Sequence, residues 1–303
     1  MLIALTGASG FVGTHTARAL HAAGHRVRAL VRPESRRDHI APAVAEWCVG
    51  DQADPQVQAG LVAGVEAVIH NAVDWEAIEQ GPIPTFERNV MGSLRLLESA
   101  RQAGVEQFLF VSSVGAYHEI IGEPNPALDE THPTWPATIY GAYKAAVEPY
   151  LKAYHHLYGM NTSSWRPAAI YGVAPRVSDS QWHHLVAAVR AGQDISTSQG
   201  GKITHVQDVA AALTLAIDDP SVAGQYYNLV DSYMYWQVAA HLAKELTGSS
   251  AKIDDRAGVG PKNQFDTRKA TDFFDRHGNS TALRRGVDGV RAYVRDLLAA
   301  MDA

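Results

Sequence analysis

Short apolar runs alternate with longer helical patterns from the first residues of the chain to Gly172. The runs that predict strands lie at residues 2–7, 26–31, 45–50, 65–72, 107–113 and 162–172. Strands that are apolar on both faces and are separated by helices form parallel sheets that helices cover on both sides. Because the connections in such sheets are right-handed, the pattern predicts an α/β fold with a doubly wound parallel sheet.

Glycines stand at positions 7, 10 and 13 in TGASGFVG, between the first predicted strand and the first predicted helix. Glycine lets the backbone approach a pyrophosphate closely, and a helix N-terminus offers N–H groups and a partial positive charge to phosphates. In this place the pattern predicts a dinucleotide site of the Rossmann type rather than a plain turn.

The alternation breaks after Gly172, where an irregular stretch rich in Gly, Ser and Gln surrounds one helix. A strand and a helix then return, and two or three helices follow. We therefore expect a dinucleotide-binding domain over residues 1–172 plus about 203–230. A smaller substrate-binding cap is expected over about 173–202 plus 231–303.

Composition excludes several classes of protein. The chain has 303 residues and a net charge of −6, which disfavours binding to nucleic acid. A single cysteine, Cys48, cannot form an internal disulfide and is expected to be an inert thiol on a buried strand. The first residues do not resemble a signal peptide, and no run approaches the roughly 20 apolar residues that span a bilayer. We expect a cytoplasmic protein with no membrane association.

The residue after the second predicted strand favours one form of the dinucleotide. NAD-specific sites usually carry an acid there, which binds the ribose 2′-hydroxyl. This chain has Val31 and Arg32 instead, and Arg32 can meet a 2′-phosphate through a forked, charge-assisted contact. We therefore favour NADP(H) as cofactor, with NAD(H) as the alternative and a solvated basic loop as the plain interpretation.

A tyrosine and a lysine four residues apart predict the chemistry. Tyr140 and Lys144 in YGAYK share one face of a predicted helix, and Ser113 ends the fifth predicted strand, where ligands bind in such sheets. The lysine charge favours the tyrosinate, as does a positively charged nicotinamide, so the phenol is expected to lose its proton below its ordinary pKa of about 10. Tyr140 could then exchange a proton with a substrate alcohol or carbonyl while hydride moves to or from a nicotinamide.

These motifs resemble, from end to end, those of the extended short-chain dehydrogenases/reductases, the NAD(P)-dependent epimerase/dehydratase superfamily. TGASGFVG resembles the cofactor turn of that family, RNVMGS its helix motif with Asn89, FVSSVGAY its serine motif, YGAYKAAVE its Tyr/Lys motif, WRPAAIYG its Arg-Pro strand and THVQDVA a later segment. The resemblance implies that Ser113, Tyr140 and Lys144 are catalytic. With the glycine turn and the strand ends, it gives these cofactor-binding candidates: Gly7, Ser9, Gly10, Phe11, Val12, Gly13, Arg32, Asp51, Gln52, Asn71, Ala72, Asn89, Ser112, Tyr140, Lys144, Pro167 and Ala168.

Three functions stay open on the sequence. The first is an NAD(P)-dependent oxidoreductase that acts on a carbonyl/secondary alcohol pair. The second is an NDP-sugar epimerase or dehydratase with retained NAD, although Ala168 and Ala169 stand where many such enzymes carry an asparagine, and Val114 and Gly115 follow the serine where dehydratases usually carry Asp-Glu. The third is a non-catalytic sensor or scaffold, which typically loses the Tyr or the Lys.

The substrate is expected to be a small molecule held beside Ser113 and Tyr140. Candidate substrate-binding residues are Asp74, Trp75, His118, Trp182 and Tyr235. The adjacent histidine pairs 155–156 and 183–184 do not face one way on a helix, so no metal site is expected. By analogy with the family, a homodimer that pairs through the helices of Asn89 and Tyr140 is expected.

Overall fold

The structure is a computed structural model that describes residues 1–117, 127–254 and 264–303, and its chain divides into two compact units. Unit 1 contains described residues within 1–119, 129–167 and 209–228, and unit 2 contains those within 120–128, 168–208 and 229–303. The candidate His118 lies outside the described residues. The division of roles between a cofactor domain and a substrate cap stays a prediction.

Strands and helices alternate through most of the described chain. The strands are β1 (Leu2–Thr6), β2 (Arg26–Val31), β3 (Glu46–Val49), β4 (Ala67–His70), β5 (Gln107–Val111), β6 (Asn161–Pro167), β7 (Ala169–Tyr171), β8 (Ile195–Ser196), β9 (Gly200–His205), β10 (Gln225–Leu229), β11 (Ser232–Tyr235) and β12 (Ile253–Asp254). The helices are α1 (Phe11–Ala22), α2 (Pro55–Val62), α3 (Trp75–Gln80), α4 (Pro82–Thr85), α5 (Met91–Gln102), α6 (Ile139–Tyr158), α7 (His183–Arg190), α8 (Val206–Leu215), α9 (Trp236–Thr247), α10 (Arg268–Arg276) and α11 (Gly286–Asp302).

A central sheet of unit 1 has the strand order β10-β6-β5-β4-β1-β2-β3. The neighbouring pairs from β3 to β6 are parallel, which confirms the doubly wound α/β fold. The strand order reverses between β1 and β4, and ligands bind outside the carboxyl ends of strands at such a switch point. Chain order alone therefore brings the ends of β1, β4 and β5 to one edge of the sheet.

Cys48 lies on a strand that is less buried than the sequence suggests. β3 is the edge strand, and its side chains alternate between half-buried and exposed positions, with Trp47 38% and Val49 46% exposed. Edge strands have one neighbour only, so their apolar side chains need not be covered on both faces. Cys48 is half-buried, and burial raises the pKa of its thiol, which agrees with the expected inert thiol.

Pro149 lies inside α6 without ending it. The sequence suggests a bend or an interruption at this point, and the helix runs in one piece from Ile139 to Tyr158. Proline removes one helical hydrogen bond, so packing has to hold the helix together. On one side of the proline Glu148 receives two hydrogen bonds from the buried Arg166, and on the other side Leu151 packs into the core.

Unit 2 has a core of its own. β7, β9 and β11 form a three-stranded sheet in which β7 and β9 are parallel and β9 and β11 antiparallel. Helices α7, α9 and α11 pack their apolar faces together, with Trp182, Tyr171 and Tyr293 buried between them. The run that predicts a single strand over 162–172 is two strands, β6 and β7, separated at Ala168.

Candidate active site

The glycine turn after β1 has a backbone conformation that leaves no room for larger residues at Gly7 and Gly13. Gly7 has φ +66°, and a Cβ added at Gly13 would lie 2.0 Å from the Gly7 carbonyl oxygen. This tight turn leads directly into α1, and no side-chain hydrogen bond caps the N-terminus of that helix in the described residues. The arrangement leaves a backbone cradle at a helix N-terminus, which suits a pyrophosphate.

Ser113 and Tyr140 meet beside Gly115. The Ser113 Oγ accepts a hydrogen bond from the Gly115 N–H at 3.0 Å and also hydrogen-bonds the Tyr140 phenol. A Cβ added at Gly141 would lie 2.1 Å from the Gly115 carbonyl oxygen, so the first turn of α6 rests directly on this backbone. Gly115 and Gly141 thereby allow the contact between serine and tyrosine, a role that their positions in the sequence do not indicate.

Lys144 lies one turn further along α6 and is buried. Its Nζ donates a hydrogen bond to the Val111 carbonyl oxygen at 2.6 Å. The Nζ also lies 4.6 Å from the ring centroid of Phe110, 4.7 Å from that of Tyr143 and 5.7 Å from that of Tyr140. Burial lowers the pKa of Lys144 to about 7, and the charge of Glu148 opposes that shift.

The pKa of Tyr140 moves in the opposite direction from the one that the sequence suggests. Burial raises the pKa of the phenol, and the hydrogen bond from Ser113 only partly opposes this shift. Spacing along the helix predicts that the lysine faces the tyrosine, but it does not report how much water is removed from the phenol. Tyr140 is therefore protonated at neutral pH in this structure and is placed to act as a proton donor.

A buried chain of hydrogen bonds connects the end of β1 to Asn89. The Thr6 hydroxyl oxygen accepts from the N–H groups of Asn71 and Ala72, both at 3.0 Å, so its proton points to His70 Nδ1 at 2.8 Å. His70 Nε2 then donates to the Ser93 oxygen at 2.8 Å, and Ser93 donates to the Asn89 carbonyl oxygen at 2.6 Å. Burial lowers the pKa of His70 to about 3, helped by the charge of Lys144, so the imidazole is neutral.

Asn89 lies in a π-helical turn over Phe86–Val90, directly before α5. Its side-chain amide accepts from the Asp74 N–H at 2.8 Å and donates to the Asp74 carbonyl oxygen at 2.9 Å. The amide therefore ties the segment after β4 to the helix, and single π-turns of this kind occur frequently at functional sites. Asn89 is buried and its amide is hydrogen-bonded to the backbone of Asp74, so any contact that it makes with a cofactor stays a prediction.

Arg88, which precedes Asn89, binds two carboxylates. Its guanidinium donates to Asp51 Oδ2 at 2.6 Å and, through Nε, to Asp74 Oδ2. Both carboxylates raise the pKa of Arg88. Burial opposes ionisation of Asp51, but hydrogen bonds from the Ala53 N–H and from Arg88 lower the pKa of that carboxyl overall. No motif in the sequence indicates this role of Arg88.

Arg32, Gln52 and Ser112 are further cofactor candidates, and all three belong to unit 1. Arg32 follows β2, with its side chain 73% exposed and its Nε 3.0 Å from Glu34. Among these candidates, Gln52 Oε1 and Ser112 Oγ are buried polar atoms without a hydrogen-bond partner in the described structure. With the glycine cradle, Gln52 Oε1 and Ser112 Oγ fit a dinucleotide, because the protein itself leaves their hydrogen-bonding capacity unused.

The candidates for substrate contact are in different settings. Asp74 caps α3 and is held by Arg88, while Trp75 is 58% exposed and stacks on Tyr140 with ring centroids 5.1 Å apart. In unit 2, Trp182 is 2% exposed in the core and Tyr235 is half-buried at the end of β11. The burial of Trp182 favours a core role, and a contact of Trp182 or Tyr235 with substrate stays a prediction.

Within residues 1–117, 127–254 and 264–303, no group of three His, Cys, Asp or Glu side chains could hold a metal ion. Among the described helices, none is both long enough and apolar enough to cross a membrane.

Comparison with known proteins gives a consistent set of relatives. Residues 3–229 match the model of the NAD dependent epimerase/dehydratase family. The chain is 33% identical to the UDP-glucose 4-epimerase of Mycolicibacterium smegmatis over 74% of this chain and 75% of that protein. It is also 33% identical to a putative dihydroflavonol 4-reductase of Synechocystis sp., over 46% of this chain and 40% of the relative. The crystal structure of the Thermus thermophilus UDP-glucose 4-epimerase in complex with NAD has a TM-score of 0.77 at 25% identity, covering 99% of this chain and 100% of the other.

Proposed function

Because the chain belongs to the NAD-dependent epimerase/dehydratase family, we propose that it oxidises and then re-reduces a secondary alcohol carbon in an epimerase-type cycle with a bound nicotinamide dinucleotide. The contact between Ser113 and Tyr140, one helical turn from Lys144, carries this proposal. The UDP-glucose 4-epimerases among its relatives support the epimerase cycle over a net oxidoreductase. A sugar bonded to a nucleotide diphosphate is the corresponding substrate class.

The residues present fit the cofactor. The glycine turn of residues 7–13 would hold the pyrophosphate at the N-terminus of α1, and Asp51 and Gln52 would face the adenine. When bound, an oxidised nicotinamide supplies a hydride acceptor and a positive charge at the site.

Tyr140 is the residue that moves the proton. During oxidation it would accept the proton of the substrate hydroxyl, and during re-reduction it would return a proton to the ketone oxygen. Ser113 would hydrogen-bond that same oxygen. Burial raises the pKa of Tyr140, so its ionised form needs nearby positive charge, and the Lys144 ammonium on the same helix face supplies part of it.

Replacement of Tyr140 is the first test. Tyr140→Phe removes the proton-transfer group, so turnover is expected to fall by about 100-fold or more, while the affinity for the cofactor stays within about twofold. Interconversion of UDP-glucose and UDP-galactose and titration with the dinucleotide measure the two effects. Tyr150→Phe, an exposed tyrosine on the same helix, is the matched control. Full activity in Tyr140→Phe would overturn the proposal.

A net reductase is the second candidate, and specific residues favour it. Arg32 stands after β2 in place of an acid, and Ala168 and Ala169 follow the Arg-Pro strand in place of the asparagine common in sugar-nucleotide enzymes. An epimerase keeps its dinucleotide, whereas a reductase has to exchange it in each turnover. The absorbance and the dinucleotide content of the purified protein therefore distinguish the two.

Preference for NADP(H) rests on Arg32. Loss of a charge-assisted contact with the 2′-phosphate should weaken binding of NADPH about tenfold more than binding of NADH in Arg32→Ala. Glu34 pairs with Arg32 at 3.0 Å, so Glu34→Gln should change the affinity for NADPH in the opposite direction. Titration of both variants with both dinucleotides tests this, and equal losses for the two in Arg32→Ala would contradict it.

Association into a homodimer also stays a prediction. Leu157 and Tyr158 on α6 are 73% and 53% exposed, which is consistent with a covered surface in an assembly. Sedimentation of the purified chain would measure its oligomeric state.

A further inference from the structure

Trp75 places a large exposed indole beside the phenol of Tyr140. The ring centroids are 5.1 Å apart and the planes differ by 16°, so one face of the indole covers the tyrosine ring. The indole is nevertheless 58% exposed. A side chain of this size is ordinarily among the more buried ones, so its exposure leaves an apolar surface next to the reacting group without a partner in the described structure.

Neighbouring polar groups fix the start of the helix that carries this indole. Asp74 caps α3, because its Oδ1 accepts from the Ala77 N–H at 3.0 Å. The backbone of Asp74 is held at both its N–H and its carbonyl oxygen by the side chain of Asn89. These hydrogen bonds therefore fix the residue directly before Trp75.

Arg88 also holds the start of α3, and it reaches the predicted cofactor site. Its Nε binds the Asp74 carboxylate, and its other end binds Asp51 Oδ2 at 2.6 Å. Asp51 follows β3, where the adenine of a dinucleotide is expected. One guanidinium therefore connects the far end of the predicted cofactor site with the helix that bears the indole.

We propose that Trp75 determines substrate specificity, with its open face packing against the ring that bears the reacting hydroxyl, and that Arg88 positions it through Asp74. This inference rests on the proposed function, in which the ring that packs on Trp75 is the sugar ring, and it names the residue that selects a cyclic over an acyclic secondary alcohol. Acyclic alcohols would lack the flat face that an indole can cover.

The same contact controls the surroundings of Tyr140. The titratable groups near the phenol are Lys144 and Tyr143 on its own helix, and Asp74, which pairs with Arg88, directly precedes Trp75 in the chain. Ser113, at the end of β5, presents a hydroxyl. Because burial raises the pKa of Tyr140, removal of the covering indole should lower that pKa.

The direction in which the pKa of Tyr140 changes in an Arg88 variant shows whether Arg88 acts by positioning Trp75 or by its charge alone. Loss of a nearby cation disfavours the phenolate, so Arg88→Met acting by charge alone would raise the pKa of Tyr140. If Arg88 instead holds Trp75 over the ring, the same variant uncovers the phenol and lowers that pKa. Arg88→Lys keeps the charge but not the fork that reaches both carboxylates.

The first experiment uses the protein without cofactor or substrate. Tyrosinate absorbance is followed during alkaline titration, and the signal of Tyr140 is obtained by subtracting the same titration of a Tyr140→Phe background. We expect Trp75→Ala and Arg88→Met to lower the pKa of Tyr140, and Trp75→Phe to leave it nearly unchanged. An unchanged pKa in Trp75→Ala, or a raised one in Arg88→Met, would overturn the positioning role.

The second experiment tests ring recognition with matched probes. The binding affinity for UDP-glucose is compared with that for UDP, which lacks the sugar ring. The cofactor-dependent reduction of cyclohexanone is compared with that of 2-hexanone, which is acyclic. Trp75→Ala and Arg88→Met both remove the indole packing, so each should weaken the affinity for UDP-glucose, or raise the KM for cyclohexanone, about tenfold relative to the other probe of the pair. The affinity of Trp75→Ala for the dinucleotide should stay unchanged. Equal losses for both members would overturn the specificity role.

The two experiments also separate this inference from the proposed function. If neither probe pair is bound or turned over, the proposed substrate class and the ring specificity both fail, whereas the alkaline titration still reports whether Arg88 holds Trp75 on Tyr140. If Tyr140→Phe keeps full turnover while Trp75→Ala loses the ring-bearing substrate selectively, the catalytic assignment fails and the specificity role stands.

Discussion

Two polar networks meet at Asn89, and they differ in nearly every physical respect. The network of Thr6, His70 and Ser93 is buried, neutral and made of short hydrogen bonds with a single direction of donation. The network of Asp51, Arg88 and Asp74 is charged, and the Arg88 side chain is 42% exposed. The first connects strands to the interior face of α5, and the second lies at the surface of the predicted cofactor site.

The contrast indicates different tasks for the two networks. A buried polar group that loses its partner keeps its full desolvation cost, so the first network should contribute to the stability of the fold. Exposed ion pairs gain little net free energy, so the second should contribute little stability and act instead by fixing the geometry of Trp75 and Asp51.

The largest expected effect comes from breaking the buried network. His70→Leu leaves the Thr6 hydroxyl without an acceptor and the Ser93 oxygen without a donor, which should lower the free energy of unfolding by about 2–4 kcal/mol. His70→Gln keeps a donor and an acceptor and should lose less than half as much. Urea denaturation at neutral pH measures both variants, and equal losses would show that the hydrogen bonds do not carry the effect.

A smaller effect is expected from mild acid, over the pH unit between 6 and 5. The pKa of His70 is about 3 in the folded protein and 6.5 in its ordinary state, so between these values the unfolded chain binds a proton that the folded chain does not. Stability from the neutral imidazole is complete above pH 6.5 and is lost as the pH falls towards 3, by up to about 1.4 kcal/mol per pH unit.

The acidic residues titrate in both wild type and His70→Gln. The difference in stability between the two proteins therefore reports only the contribution of the His70 imidazole. The difference in free energy of unfolding between them should narrow by about 1 kcal/mol from pH 6 to pH 5. A difference that does not depend on pH would contradict a neutral, buried His70.

The smallest expected effect concerns the exposed network. Arg88→Met should lower the free energy of unfolding by less than about 1 kcal/mol at low ionic strength, and salt at about 0.5 M should reduce that loss further. Chemical denaturation at the two salt concentrations gives the comparison. A salt-independent loss as large as that of His70→Leu would mean that Arg88 supports the fold and not only the site.

Parts of the site follow from local sequence and parts do not. The helical period puts Tyr140 and Lys144 on one face, and strand order puts the end of β5 near the switch point. Gly115 and Gly141 are 26 positions apart by their numbering, and only the structure shows that a Cβ on Gly141 would reach the Gly115 carbonyl oxygen. Arg88 likewise meets Asp51 and Asp74 across 37 and 14 residues, which no motif indicates.

Sequence alone determined the features that depend on neighbours along the chain: the alternation of strands and helices, the glycine turn before α1, and the spacing of Tyr140 and Lys144. Burial was decided only by the tertiary structure, because it depends on which distant segments cover a side chain. Burial raises the pKa of Tyr140, lowers those of Lys144 and His70, and leaves Trp75 exposed beside the phenol. The sequence therefore gives the residue types of the site, whereas the protonation states of these residues and their access to water depend on the packing.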